Sequence, residues 1–335
     1  MTSVTSPGRA IPLSDSVDRL LQGAEQRESW KTTDSLSGSH FERVVIDGVP
    51  LIVKYSSLDN DWIMRATGDL NSRQLTLLMS GVLDRLPASI DHTVVGCAPY
   101  TDDGGHRGAA LLMRDVSDSL IPAGSERITM SQHRGFIQGM AAMHAAFWGF
   151  RDDAGLCPLS HRYVFLTPTM AELEMATPRG DSVPPAVADG WRRLDEQYPA
   201  DARRLRKLAA DPWPLVDALQ AGPQTFIHSD WKLGNLGREG SRTILLDWDR
   251  TGEAPPLVDL AWYLAVNCDR LPESKEDTID AYRTSLESSG IATASWWSGQ
   301  LAPALAGAFL QLAWAKTGDA TEFGWWSERL AAWNP

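Results

Sequence analysis

Strand-like and helix-like segments occupy different parts of this 335-residue chain, and this separation constrains its fold more than any other feature. Period-two alternation and turn residues in the first third predict strands at 28–34, 40–47, 50–57, 93–100 and 108–116. Asp47-Gly48, between two of these strands, is typical of a tight hairpin turn. Apolar residues at helical spacing predict one helix at 70–86 within this region and a short helix at 14–24 before it. We therefore predict a small, mostly antiparallel sheet that carries one helix.

The chain after residue 116 is predicted to be mainly helical. Apolar periodicity predicts helices at 130–150, 255–267, 277–290, 295–316 and 322–333. Prolines interrupt a further helical region at 160–222, and short strands are predicted near 225 and at 241–249. Strands followed by helices indicate the α+β class. We predict an N-terminal lobe at 1–113, a hinge at 114–119 and a larger, mainly helical C-terminal lobe at 120–335.

Charge and composition exclude several classes of protein. The chain has 31 basic and 43 acidic residues and a net charge of −12, which argues against sequence-independent nucleic-acid binding. The longest apolar runs are shorter than the ~20 residues of a membrane helix, so we expect no membrane partner. Three widely spaced cysteines and no visible secretory signal lead us to expect a cytoplasmic protein.

The segment His228-Ser-Asp230-Trp-Lys232-Leu-Gly-Asn235 is the strongest indication of chemistry. It follows a predicted strand, and Asp247 lies 17 residues after Asp230, at the end of the next strand. A hairpin of that length brings the two carboxylates and the amide to the same end. Carboxylate and amide oxygens are hard ligands that suit Mg²⁺. Asp and Asn are also ordinary turn residues, but the complete spacing argues against that interpretation.

This arrangement resembles the catalytic and metal-binding loops of the aminoglycoside phosphotransferase and choline kinase-like family, small-molecule relatives of protein kinases. The resemblance implies a bilobal, protein-kinase-like fold with a cleft between the lobes. It also implies that Asp230 is the catalytic base, that Asn235 and Asp247 hold Mg²⁺, and that His228 supports the loop. ATP or GTP would be the phosphate donor, and the acceptor would be a hydroxyl of a small molecule.

The resemblance also assigns nucleotide-binding positions in the N-terminal part. Lys54, on the third predicted strand, would bind the nucleotide phosphates. Its usual glutamate partner is missing from 70–86, where Gln74 lies near the expected position and Asp69 is the nearest carboxylate. The backbone at Arg114 and Val116, in the predicted hinge, would contact adenine.

The loop between the first two strands, which includes Ser37, Gly38 and Ser39, would cover the phosphates. It has a single glycine, and an ordinary hairpin turn stays an open alternative.

Three further charged residues lie near these motifs. Lys232 either contacts the transferred phosphate or is a solvent-facing loop lysine. Asp249, two residues after the predicted metal ligand Asp247, would support the metal site. Asp259, in the first turn of a predicted helix, would support the loop, as the corresponding aspartate does in the family.

The acceptor is left open by the sequence. Seven tryptophans on the C-terminal helices suit a sugar ring or an ammonium group, although core packing is the better explanation for most of them. We therefore expect a phosphotransferase that acts on an amino sugar, aminoglycoside, sugar or amino alcohol. Two alternatives are a catalytically weak pseudokinase that binds nucleotide and a metal-dependent hydrolase.

Overall fold

The computed structural model describes residues 11–30, 37–177 and 179–333. Ten strands are present in this part of the chain. They are β1 (Ala24–Trp30), β2 (His40–Ile46), β3 (Val49–Ser57), β4 (Ile90–Asp91), β5 (Val94–Thr101), β6 (Arg107–Arg114), β7 (Thr225–Ile227), β8 (Leu236–Glu239), β9 (Arg242–Leu245) and β10 (Gly252–Ala254).

Thirteen α-helices occur in the same ranges. They are α1 (Val17–Leu20), α2 (Trp62–Ala66), α3 (Arg73–Met79), α4 (Met130–Ala146), α5 (Leu159–Arg162), α6 (Pro168–Met175), α7 (Val183–Gln197), α8 (Pro199–Ala210), α9 (Trp213–Gln220), α10 (Leu257–Val266), α11 (Lys275–Ser288), α12 (Trp297–Leu312) and α13 (Ala320–Ala332).

The predicted antiparallel sheet is confirmed, with strand order β1-β2-β3-β6-β5. The predicted turn at Asp47-Gly48 is confirmed too, because both residues have positive φ angles and Ile46 pairs with Val49. The first strand ends at Trp30, and the rest of its predicted span, 31–34, lies outside the described residues together with Ser35 and Leu36. The α+β class is therefore confirmed.

Side chains of β3 alternate between two faces of this sheet. Leu51, Val53 and Tyr55 join a buried core to which α1 also contributes. Lys54 and Ser56 lie on the other face, where Leu111 of β6 is packed by Leu75 and Leu78 of α3. The sheet thus places a lysine on the same face as helix α3.

The helix predicted at 70–86 is shorter in the structure. It begins at Arg73 and ends at Met79, because Gly81 adopts a left-handed φ of 68° shortly after its last turn. A short 3₁₀ turn at Leu83–Arg85 follows. The apolar spacing therefore spans two separate helical segments.

Prolines begin helices in the region 160–222 instead of only interrupting them. Four of the five helices there have proline in the first two positions, where a missing N–H has no intrahelical partner in any case. Pro178 lies outside the described residues. The predicted helical character of this region is confirmed.

The described chain groups into two compact units. The first contains Met1–Ala123, Asp153–Leu156 and Leu233–Asp249, and the second contains Gly124–Asp152, Cys157–Lys232 and Arg250–Pro335. In the first unit β4 pairs in parallel with β9, which pairs with β8. The strand predicted at 241–249 is therefore present as β9, but its predicted hairpin with the strand near 225 is wrong, because β7 pairs with β10. The lobe boundaries at 113 and 120 stay a prediction. Among the described residues, no helix combines the length and apolar character that crossing a bilayer requires.

Close backbone packing beside Lys54 leads to a first prediction. A Cβ on Gly108 of β6 would lie 1.7 Å from the carbonyl oxygen of Ser56, so Gly108→Ala must shift one of the two strands. We expect a loss of about 1–3 kcal/mol in the free energy of unfolding, the usual effect of overpacking. Gly324→Ala in α13 is the control, because no atom lies within 4 Å of the added Cβ. Urea unfolding measures both variants, and equal stabilities would contradict the prediction.

Candidate active site

The loop 228–231 follows β7 and is held by the carboxylate of Asp259, in the first turn of α10. Asp259 accepts the backbone N–H groups of His228 at 2.8 Å and Ser229 at 2.7 Å. It also accepts the indole N–H of Trp231 at 2.9 Å. The sequence predicted this supporting position, and the contacts show how one buried side chain orders the backbone of the loop.

His228 is buried and braces the same loop. Its Nδ1 accepts the backbone N–H of Asp230 at 3.1 Å, which places the ring proton on Nε2. Nδ1 is therefore engaged in a hydrogen bond inside the loop. The supporting role of His228 in a catalytic site stays a prediction.

Asp230 is enclosed by cationic and indole donors. Its Oδ1 accepts from Arg250 Nη2 at 2.7 Å and from Trp262 Nε1 at 2.9 Å. Its Oδ2 lies 3.4 Å from Lys232 Nζ, so Lys232 is placed beside the predicted base. Sequence reasoning missed Arg250, and it considered Trp262 only as one of seven tryptophans that could contact the acceptor. The only signal for Arg250 was its position directly after Asp249, and nothing in the spacing indicated Trp262.

The pKa of Asp230 lies well below its usual range. Burial alone raises the pKa, but the charges of Arg250 and Lys232, together with the hydrogen bond from Arg250, outweigh burial. The carboxylate therefore stays ionised at neutral pH. An ionised carboxylate of this kind can orient a hydroxyl group and accept its hydrogen bond.

In the first unit, Lys54 is buried among carboxylates. Its ammonium group forms an ion pair with Asp247 and lies 3.9 Å from Asp249 Oδ2. Burial lowers the pKa of Lys54, but Asp247, Asp249 and Asp61 together raise it above its ordinary value. Lys54 is therefore charged and lies against the residue predicted to bind metal.

Asp61 is the acidic residue near Lys54 that sequence reasoning missed. It caps the N-terminus of α2, accepting the N–H groups of Ile63 at 2.9 Å and Met64 at 3.1 Å. An aspartate directly before the apolar run Trp-Ile-Met is a typical helix cap and was the signal available.

The two positions considered from the sequence as partners of Lys54 have other surroundings. Gln74 is buried on α3, and its Oε1 has no hydrogen-bond partner within the described chain. Asp69 accepts the backbone N–H of Arg73 with both carboxylate oxygens, at 2.9 Å each, and so holds the start of α3. The carboxylates that act on Lys54 come from Asp61, Asp247 and Asp249 instead.

The described part of the predicted phosphate loop is tied to Asp61. Ser39 Oγ donates to Asp61 Oδ2 at 2.9 Å and lies 3.0 Å from Ser37 Oγ and 3.1 Å from Ser56 Oγ. Both serines are buried, whereas Gly38 between them is exposed and has a φ of 91°. The hydroxyl groups are therefore used inside the first unit, and only the turn at Gly38 is exposed.

The predicted hinge residues are also engaged within the first unit. The guanidinium of Arg114 forms an ion pair with Asp91 and lies 3.6 Å from Glu239. Its backbone N–H donates to the carbonyl of Thr93 at 3.0 Å, and the carbonyl of Val116 accepts the N–H of Ser119 at 2.9 Å. Contacts of Arg114 and Val116 with adenine stay a prediction.

Asn235 and Asp247 both lie in the first unit and are linked through the backbone. The N–H of Leu246, next to Asp247, donates to the carbonyl of Asn235 at 3.0 Å. Asp247 has a left-handed φ of 71°, a strained conformation for a residue other than glycine, and its side chain is 25% exposed. One carboxylate and one amide are oxygen donors that suit Mg²⁺.

Comparisons with known proteins add a family assignment. The sequence model of a phosphotransferase enzyme family, abbreviated APH, matches residues 80–297, more than half of the chain. No curated protein sequence matches the chain significantly.

Solved structures that resemble this one include three kinases. A choline kinase from Streptococcus pneumoniae has a TM-score of 0.48 and 13% identity, with 94% of this chain and 96% of that chain covered. An ethanolamine kinase from Plasmodium vivax has a TM-score of 0.47 and 10% identity, with 92% and 81% covered. A macrolide 2'-phosphotransferase from Brachybacterium faecium has a TM-score of 0.44 and 14% identity, with 92% and 93% covered.

The buried ion pair between Arg250 and Asp230 yields a second prediction. Arg250→Met leaves a buried carboxylate without this cation, and we expect a loss of about 3–5 kcal/mol in unfolding free energy at neutral pH. Arg250→Lys, which keeps a positive charge, should lose less.

The effect should depend on pH with a defined sign. In the wild type, the lowered pKa of Asp230 adds stability that is complete above the unfolded pKa of about 3.9 and is lost as pH falls through the folded pKa. Without Arg250 the pKa of Asp230 rises, so protonation relieves the buried charge at a higher pH. The stability difference between wild type and Arg250→Met should therefore narrow as pH falls from neutral towards the pKa of Asp230 in the variant. Urea unfolding across this range measures it, and a gap that does not change with pH would argue against the ion pair.

Proposed function

Because the chain belongs to the APH phosphotransferase enzyme family, we propose that it transfers the γ-phosphate of ATP or GTP to a hydroxyl group of a small molecule. One observation supports this proposal above all. Asp230 is a buried carboxylate, kept ionised by Arg250 and Lys232 and presented on a loop whose backbone N–H groups are bound by Asp259 and His228. Candidate acceptors are amino sugars, aminoglycosides, sugars and amino alcohols.

In the proposed reaction Asp230 accepts a hydrogen bond from the acceptor hydroxyl and directs its oxygen at the γ-phosphorus. The new P–O bond forms while the bond to the leaving nucleoside diphosphate breaks, and the hydroxyl proton passes to Asp230 late in the step. Most analyses describe a loose transition state, so positioning and charge matter more than basicity. The lowered pKa of Asp230 agrees with such a role.

Lys54 and Lys232 supply positive charge in this proposal. Lys54 would bind the donor phosphates, and Lys232, 3.4 Å from Asp230, would contact the transferred phosphoryl group. Asn235 and Asp247 would hold Mg²⁺, which neutralises phosphate charge in enzymes of this type. Lys54 is paired with Asp247 in the structure. When ligands bind, the phosphates would become a partner for Lys54 and the metal would become a partner for Asp247.

The alternatives predict different ligands. A pseudokinase would be stabilised by nucleotide without turnover, whereas a metal-dependent hydrolase would be stabilised by metal without nucleotide. Nδ1 of His228 already accepts the N–H of Asp230, which disfavours the hydrolase because that mechanism requires histidine as a metal ligand. Thermal-shift titrations with nucleotide and Mg²⁺, followed by an ADP-release screen over the four acceptor classes, separate the three.

Asp230→Asn is the decisive variant for the proposed reaction. It keeps the size of the side chain but removes its charge and its capacity to accept the proton. We expect kcat to fall by roughly 10²–10⁴, the range for loss of general acid–base catalysis. Nucleotide affinity should hardly change, whereas Lys54→Ala should weaken nucleotide binding. Near-normal turnover by Asp230→Asn on an identified acceptor would refute the mechanism.

The metal assignment is tested by Asp247→Ala. In the wild type, added Mg²⁺ should tighten nucleotide binding, because Asn235 and Asp247 would hold the metal, whose charge would attract the nucleotide phosphates. The variant should lose this metal-dependent tightening. Asp103→Ala, in the exposed loop between β5 and β6, should retain it. Isothermal titration of nucleotide at several Mg²⁺ concentrations compares the three proteins, and equal tightening in all of them would exclude Asp247 as a ligand.

A further inference from the structure

Arg162, the last residue of α5, is a buried cation with little hydrogen bonding. Its exposed fraction is 3%, and Nη1 donates to the carbonyl oxygen of Ser229 at 2.6 Å. Its Nε and Nη2 have no hydrogen-bond partner within the described chain. Arginine is seldom fully buried, and unmet donors are unfavourable inside a protein. Packing alone would be served better by an apolar side chain.

The contact with Ser229 fixes the peptide that leads to Asp230. The oxygen of this peptide is held by Arg162, and its N–H, which belongs to Asp230, donates to His228 Nδ1. Ser229 has a left-handed φ of 74°, an unfavourable conformation for serine. A peptide plane bound at both ends cannot rotate freely, so the strained conformation persists.

Arg162 also reaches Asp230 by a second route, through Trp262. The guanidinium carbon lies 5.2 Å from the centre of the Trp262 ring, within the range of a cation–π interaction. The indole N–H of Trp262 donates to Asp230 Oδ1 at 2.9 Å. Arg250, which bonds the same oxygen, also lies 5.2 Å from this ring. One buried arginine therefore touches both groups that determine where the carboxylate points.

We propose that Arg162 is a positioning residue for Asp230: it holds the Ser229–Asp230 peptide and the Trp262 indole, and so directs the carboxylate towards the acceptor hydroxyl. This inference rests on the proposed function. Arg162 need not touch the substrate, because it acts through the Ser229–Asp230 peptide and the Trp262 indole.

The variant Arg162→Met should lose activity without losing stability. Replacing a poorly paired buried charge by an apolar side chain is often neutral or stabilising, so the melting temperature should stay or rise. We expect kcat to fall by about 10- to 100-fold, because small misplacements of a catalytic group have effects of this size. The nucleotide KM should change less than about twofold. Arg162→Lys, which retains a donor for Ser229, should recover part of kcat.

Lys316→Met is the matched control. Lys316 is also a buried cation of the second unit that donates to a backbone carbonyl, that of Ala265 at 2.8 Å, and lies 5.5 Å from a tryptophan ring centre, that of Trp326. Its removal should lower stability, because Glu322 loses an ion pair, without changing kcat of the folded enzyme. If Arg162→Met keeps wild-type kcat, or if kcat falls only in proportion to the folded fraction, the proposal is wrong.

A second readout is independent of the acceptor. The indole proton of Trp262, assigned in the NMR spectrum with Trp262→Phe, reports its hydrogen bond to Asp230. It should shift in Arg162→Met and stay in Lys316→Met. An unmoved signal would overturn the positioning role even in an active enzyme. Absence of nucleotide binding by the wild type, with the signal moved as expected, would instead reject the proposed function and leave the contact with Trp262 supported.

Discussion

The geometry of the loop 228–231 depends on one buried carboxylate, that of Asp259. Besides two backbone N–H groups and the Trp231 indole, it contacts His144 Nε2 at 3.2 Å. Burial raises the pKa of Asp259, but His144 and nearby positive groups lower it below its ordinary value, so the group stays ionised. His144 in turn contacts the Tyr282 hydroxyl at 2.6 Å. A single charge thus links α10, α4 and α11 to the loop.

Each unit carries a local charge imbalance that suits its proposed ligand. In the second unit, the positive residues Arg162, Arg250 and Lys232 outnumber the carboxylates of Asp230 and Asp259. Fixed positive groups of this kind favour negative charge that develops in a transition state. In the first unit Lys54 is the cation and three carboxylates surround it. Excess negative charge there suits the divalent cation proposed for this site.

Local patterns were sufficient to predict the antiparallel sheet and its hairpin turn, and the spacing of polar residues in 228–235 indicated the candidate site. Period-two alternation and the Asp47-Gly48 turn are local sequence patterns, so they can be recognised without knowledge of tertiary contacts. The predicted length of the helix at 70–86 was wrong, because the apolar spacing continues past Gly81 whereas helix α3 ends at Met79. The contacts of Arg250, Trp262 and Arg162 around Asp230 were missed because they join residues 20 to 100 positions apart in the sequence. Asp61 could have been predicted as a helix cap, but no pattern in the sequence indicates that this cap also lies near the charge of Lys54.

The lowered pKa of Asp230 bears on the kind of catalysis proposed for it. A carboxylate that must remove a proton before the bond forms benefits from a pKa near the operating pH. Arg250 and Trp262 both donate to the same oxygen of Asp230 and oppose such a rise. In a loose transition state the hydroxyl has lost little of its proton, so a weak but rigidly held acceptor suffices. The donors that weaken Asp230 as a base are the same donors that fix its direction, and phosphoryl transfer is a reaction in which direction matters more.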